Sequence, residues 1–413
     1  MADDPYHLRT LESIDDFTRV LDVLAAAFGE DFPAEDLATT RSVFEPRRSH
    51  VIEHDDDGMV AHAAAYTREV TVPGGVIPAA HVTLVGVRPT HRRRGLLTRL
   101  MAHQLRDVRE HGEPVAMLWA SEGRIYQRFG YGIAALRHII PGADKREIRL
   151  NRSSTPEAGR LRDASPEQVR KDLQQVYERV RPERPGWSSR DENWWSRLLD
   201  DSPSRRQGYT SRRALLFEGP ARVDGYALWR RKGDWAETGP KGEVNVAEVV
   251  AATPEAYLAL WEFLFSVDLA RTVRYPFAAP DEPLRYLVNE PRALGDRVAD
   301  SLWVRLVDVP AALSTRRFAA PVDVVIDVTD ALLPDNAGRW RLTGDATGAA
   351  CTPTTDAADL ACDVADLGAV YLGGTGLGAL AAAGRVRELR PGAVAAVAPR
   401  FGWHRAPSAL DIF

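Results

Sequence analysis

Residues 82–98 read VTLVGVRPTHRRRGLLT, and the fold turns on this stretch. Apolar residues over 76–88 predict a strand. Leu96, Leu97, Leu100, Met101, Leu105 and Val108 recur at helical spacing and predict a helix over 95–110. Between them lies Arg92-Arg93-Arg94-Gly95, a degraded R-x-x-G-x-[small] loop. A glycine there lets the turn approach a phosphate closely, and the first turn of the next helix offers N–H groups with no intrahelical partner. Successive backbone N–H groups can cradle a pyrophosphate, and the arginines add positive charge. Arginines at a helix start can equally be a solvated face, although they oppose the helix dipole there. Gly86, inside the strand, suggests a bulge or a close approach by a ligand.

Working outward, residues 17–28 predict a helix, and residues 51–54 and 59–72 predict strands. Asp55, Asp56, Asp57 and Gly58 make the turn between those strands; the aspartates read as solvated turn residues, not a metal site. Residues 114–120 predict a buried strand, 121–129 a short helix and 131–140 a final strand, which together make a mixed α/β domain. Residues 150–165 are polar and predict a linker, and 166–200 are predicted helical. Strands at 214–218, 224–231 and 244–251, a helix at 254–270 and a strand at 272–275 then repeat the strand–turn–helix order of 82–110. This reads as a diverged second copy, without an R-x-x-G loop. From Leu302, three antiparallel strands (WVRLVDV, VDVVIDV, RWRLTG) and Ala-rich helices at 365–371 and 376–388 follow. The expected segments are 1–148, 149–300 and 301–413.

The chain has 413 residues, 45% of them apolar and 27% charged, so each segment can bury a core. A net charge of −5, from 53 basic and 58 acidic residues, argues against a nucleic-acid partner. No apolar run is long enough for a membrane span, and the start, MADDPYHLRT, lacks the pattern of a secretory signal; a cytoplasmic protein is the expectation. Cys351 and Cys362 form neither a CxxC pair nor a zinc set, and no metal is expected.

VRPTHRRRGLL (87–97) and SEGRIYQRFGYG (Ser121 to Gly132) resemble motifs of the Eis (enhanced intracellular survival) family within the GNAT N-acetyltransferase superfamily. The resemblance implies a GNAT domain, a second degenerate GNAT-like domain and a C-terminal sterol-carrier-like α+β domain. It implies acetyl-CoA as co-substrate. Val85, Gly86 and Val87 would offer backbone groups to the pantetheine arm. Arg93, Arg94, Gly95, Leu96, Leu97 and Thr98 would hold the pyrophosphate, and Ser121 and Glu122 would line the same site. Leu97 departs from the family's usual Gly or Ala at that point, which leaves the N–H donors in place. Some relatives carry histidine where Trp119 stands, so no histidine role is expected there.

Tyr126 would be the general acid toward the departing thiolate; read alone, it could equally be a packed aromatic. The resemblance assigns the base to the C-terminal carboxylate, here that of Phe413, unless the tail is frayed. Asp411 is a helper or rival. Phe28, Glu30, Asp31 and Phe32 fall where such enzymes receive the acceptor, or form a solvated acidic loop. Trp187, Trp194 and Trp195 either line a wide pocket or belong to the core. The expected acceptor is a small polycationic amine, with aminoglycosides the family's best-known class, and the expected assembly is a homo-oligomer, a hexamer. Two other readings stand: a protein lysine N-acetyltransferase, and a non-enzymatic lipid-binding protein.

Overall fold

A computed structural model describes residues 4–32, 37–151 and 159–413. Its first sheet begins with strands β1 (Tyr6–Thr10), β2 (Ser49–His54), β3 (Gly58–Val72) and β4 (Gly75–Val87), an antiparallel meander. Helices α1 (Phe17–Phe28) and α2 (Leu37–Ser42) lie between β1 and β2. Helix α3 (Leu96–Glu110) carries the chain from β4 to β5 (Val115–Trp119), which runs parallel to β4. The short helix α4 (Gly123–Tyr126) and strand β6 (Gly132–Ile133) follow. Alternation of the β4 side chains sends Ala80 and Val82 against Met101 and Leu105 of α3, while Ala79 points into the core shared with the C-terminal domain.

Two strands depart from the sequence reading. Residues 131–140 divide: β6 closes the first sheet, while β7 (Leu136–Asp144) crosses into the second, between strands Ala270–Ala278 and Arg297–Asp300. In return, Leu302–Leu306, expected among the antiparallel strands of the last segment, inserts between β5 and β6. Alternating apolar residues identify a strand but not its neighbours, so the sequence pattern left this exchange open. The polar stretch 150–165 contains an edge strand, Arg160–Ala164; residues 152–158 of that predicted linker lie outside the described residues. The expected helical region 166–200 contains two helices, Arg170–Val180 and Glu192–Leu199, parted by a Pro- and Gly-containing turn.

The second seven-stranded sheet repeats the plan of the first: strand Gly242–Ala251, helix Pro254–Ser266 and a parallel strand Ala270–Ala278. A third, five-stranded sheet with Val322–Thr329 at its centre carries helices that face the first domain. One of them, Val364–Val370, lies directly on the exchanged strand. A Cβ on Gly368 would fall 2.2 Å from the Val304 carbonyl oxygen, and one on Gly132 would fall 2.0 Å from that of Ala365. Backbone meets backbone there, so there is no flexible side chain to give way. Gly368→Ala is expected to cost about 2–3 kcal/mol through overpacking, read as a lower urea midpoint.

Candidate active site

The first domain's site begins where β4 and β5 part. They pair only over Ala79–His81 and Val115–Met117. Beyond that, a register shift disrupts the β3–β4 ladder between His62 and Ala64. Leu84 takes a left-handed conformation (φ +52°), and its carbonyl oxygen lies 2.7 Å from Nδ1 of buried His62. This bulge turns Val85–Val87 away from β5, and a cavity of about 610 Å³ opens in the fork. Gly86 lines it, but its missing side chain chiefly admits α1: a Cβ would stand 3.1 Å from that of Ala27 and 3.2 Å from Leu24 Cδ2.

At the mouth, Arg93 (φ +63°) and Gly95 (φ +80°) bend the chain into α3. Gly95 is the N-cap and brings no capping side chain, so the first-turn N–H groups at Leu96, Leu97 and Thr98 stay available to an anion. A Cβ at Gly95 would meet nothing within 4 Å, yet the backbone would be strained for any L-residue. Gly95→Ala is therefore expected to raise the Kd for CoA about tenfold while leaving the fold intact; isothermal titration with CoA checks this.

The three arginines divide their tasks. Arg92 donates to the carbonyls of Val87 (3.2 Å) and Ala27 (2.6 Å), tying the loop to the end of α1. Arg93 lines the cavity. Arg94 is absent from the wall and reaches back toward the Thr90 carbonyl at 3.5 Å, so it is not brought into the site with its neighbours. Arg128, two residues past Tyr126, lines the cavity and supplies a cation that the sequence reading missed. His91 and Ile125 were missed as well.

Tyr126, Ser121 and Glu122 come together on the opposite wall. Burial pushes the Tyr126 phenol up to about 12, and a hydrogen bond with Ser121 partly opposes that rise. The phenol thus keeps its proton at neutral pH. Tyr131 packs edge-on against it, with centroids 6.0 Å apart, and is wholly buried outside the cavity lining. On the acceptor side, Phe28 lines the cavity and is 47% exposed. Asp31 and Phe32 lie past the left-handed Gly29 cap, exposed and outside the wall, so the expected acceptor cluster is only partly assembled.

Phe413, the expected source of the base, packs on the first sheet and is not among the residues that line the cavity. The Phe413 ring meets His81 edge-on, with centroids 4.6 Å apart, at the last residue of β4 that pairs with β5. Val43, Tyr66 and Trp194 pack beside it. The tail is pinned rather than frayed. Asp411 accepts from Arg68 at 2.9 Å and from Arg190 at 3.2 and 2.5 Å, and Arg190 donates in fork geometry to buried Glu248 at 3.0 and 2.7 Å. Burial alone would raise the Asp411 carboxyl, but Arg190 and Arg68 outweigh it and hold it well below the usual carboxylate range. Clamped by two guanidinium groups, Asp411 is an anchor and not a helper or rival base.

Trp187, Trp194 and Trp195 are buried. Trp187 stacks on Tyr177 and donates to Ser408 Oγ at 3.1 Å. Trp194 meets Tyr66 edge-on and lies under the Arg68 guanidinium. Trp195 packs against Tyr177 in the core. Trp187 also borders a second cavity, of about 470 Å³, at the fork of the second sheet. There the helix start is Thr253-Pro254: the threonine side chain caps the Ala256 N–H, and proline has no N–H to give. The donors left open in the first domain are used up or absent in the second.

With this geometry in place, likeness to known proteins can be weighed. Profiles of two acetyltransferase (GNAT) domains match residues 7–134 and 186–306, and a sterol carrier protein domain matches 309–409. A protein named as an N-acetyltransferase from Streptomyces avermitilis is 45% identical, over 95% of this chain and 96% of its own length. The N-acetyltransferase Eis of Mycobacterium tuberculosis is 35% identical, over 88% of this chain and 89% of its own. The chain belongs to the Eis family. The crystal structure of Eis1 from Mycobacterium abscessus superimposes with a TM-score of 0.83 at 35% identity, covering 98% of this chain and all of that one. An Eis-type chain is an N-acetyltransferase, and its GNAT fold implies use of acetyl-CoA. The fold class expected from the motifs (GNAT, degenerate GNAT-like, sterol-carrier-like) is the one found. Among the described residues, no helix is long and apolar enough to cross a membrane.

Proposed function

We propose that this Eis-family chain acetylates amino groups of polycationic small molecules, aminoglycosides among them, by direct transfer from acetyl-CoA. In this reading the domains divide at 148/149 and 300/301, apart from the exchanged strands. Two observations support the mechanism: Tyr126, at the end of α4, lines the cavity, and Phe413 packs on His81, the last β4 residue that pairs with β5.

The first-turn N–H groups of α3, with Arg93 and Arg128, fit a pyrophosphate, and Val85–Val87, beyond the pairing of β4 with β5, offer backbone partners to an extended arm. Acetyl-CoA supplies the acyl group as a thioester. The amine attacks the thioester carbonyl as the carbon–sulfur bond breaks. The Tyr126 hydroxyl gives its proton to the leaving sulfur, and the terminal carboxylate of Phe413 takes the amine's proton through water. Phe28 offers an aromatic face to the acceptor, with Asp31 and Phe32 further out on the same loop. The molecule is read as a cytoplasmic hexamer.

The test is CoA release, followed with a thiol reagent, from purified chain, acetyl-CoA and a panel of polyamines and aminoglycosides. Release dependent on the small amine supports the reading. Release only with lysine-bearing proteins would replace it with protein acetylation. Lipid binding in the C-terminal domain, with neither CoA binding nor release, would point to the non-enzymatic reading.

A further inference from the structure

We propose that His54, Asp57 and His91 form a binding site for a divalent zinc ion that ties the β2–β3 turn to the phosphate-binding loop. His54 ends β2, Asp57 lies in the turn after it, and His91 closes the short 3-10 turn that runs into Arg92. The three residues are far apart in sequence in part, yet one carboxylate oxygen serves both rings. Asp57 Oδ2 is 3.2 Å from His54 Nδ1 and 3.2 Å from His91 Nε2, and all three ligand atoms lie within 4.8 Å of one another. A tetrahedral zinc with bonds of about 2.0–2.1 Å holds neighbouring ligand atoms about 3.3 Å apart. Two imidazoles and a carboxylate leave a fourth position for water or a ligand, and His91 also borders the 610 Å³ cavity.

The spacing of the three ligand atoms marks the site, and the surrounding hydrogen bonds set how its rings are held. The backbone N–H of Asp56 donates to His54 Nδ1 from 3.3 Å, and a bound ion would displace this N–H from the ring nitrogen's single lone pair. Thr90 Oγ1 stands 2.9 Å from His91 Nδ1 and can accept its proton, which leaves the lone pair on Nε2. With Thr90 as the acceptor, His91 Nε2 and the Asp57 carboxylate oxygen are left to the ion. The same contacts fix ring orientation as outer-shell partners of metal-bound histidines do. Tyr6 packs against both rings, with centroids 5.0 and 5.9 Å away, while Asp57 is half exposed and gives an ion access. The site lies outside the acetyl-transfer chemistry, so its fate is independent of the proposed acceptor.

The experiment titrates Zn²⁺ into chelator-treated, desalted full-length protein in competition with a chromophoric chelator. One equivalent is expected in the wild type. His54→Ala and Asp57→Asn should each weaken it about 100-fold or more, while His7→Ala, beside Asp55 on the neighbouring surface, should retain it. Asp57 is a half-exposed turn residue, so D57N reports on the site even if H54A fails to fold. A wild type that draws no zinc from the chelator overturns the proposal. A stoichiometry unchanged in D57N overturns it as well, because the ion must then sit elsewhere.

Discussion

Replacing Tyr126 with phenylalanine is expected to lower kcat about 100-fold or more and to leave the KM for acetyl-CoA within about twofold. The ring keeps its packing against Tyr131 and the α3 core; the substitution removes only the hydroxyl. That hydroxyl, the proposed proton donor, is pushed up to about 12 by burial against the opposing hydrogen bond with Ser121. It therefore stays protonated through the range in which enzymes are assayed, and the wild-type kcat profile should show no loss from Tyr126 deprotonation below about pH 10. Stopped-flow measurement of CoA release gives kcat, and titration with CoA gives binding. Equal losses in both would make Tyr126 a packing residue and end its part in proton transfer.

The second large effect concerns the tail. Asp411→Asn removes the charge that two buried guanidinium groups share. Arg190 keeps Glu248, but Arg68 keeps only neutral acceptors such as the Ser189 carbonyl. Breaking a buried ion pair from one side costs about 3–5 kcal/mol, and the urea midpoint should fall accordingly. Because Asp411 anchors the chain two positions before Phe413, kcat should drop while CoA binding holds. The pH dependence has a definite sign. The folded carboxyl lies well below its ordinary value, so its stabilisation is complete above about pH 5. It is lost as the pH falls through about 3.9, the unfolded value, toward the folded one. Wild type should lose stability in acid more steeply than D411N, and equal acid slopes would show that the clamp is not electrostatic. Deleting Phe413 alone, with Asp411 kept, separates the role of the terminal carboxylate from that of its anchor.

Much of the catalytic domain was legible along the chain because its signals are local. A strand, an arginine–glycine loop and an amphipathic helix sit within residues 76–110, and the loop's chemistry follows from its backbone. Gly86 was read as a bulge or a ligand's close approach; the register shift does fall beside it, and the body packed close against it is α1. What escaped was non-local. Leu302–Leu306 looks like any buried strand, and nothing in its alternation says that it pairs with β5. Arg68, Arg190 and Asp411 come from three distant segments; Asp411 was read as a helper or rival base, and nothing along the chain pairs it with the two arginines. Asp31 and Phe32 were grouped with Phe28 by adjacency, but the left-handed turn at Gly29 parts them from the cavity wall. Arg94 was grouped with Arg93 by the motif, yet the positive φ at Arg93 turns consecutive side chains apart.

The strand exchange also has a consequence for how the molecule is made. On a ribosome the chain emerges N-terminus first, and a domain ordinarily folds once its own residues are out. Here the first sheet still lacks the strand between β5 and β6 when Ile133 appears, and gains it only after Leu306 has been synthesised. Until then the apolar edge of β5 (VAMLW) stands unpaired, the kind of edge on which chains stick together. The nascent catalytic domain must wait, and its exposure to aggregation is set by the rate at which the second domain is translated.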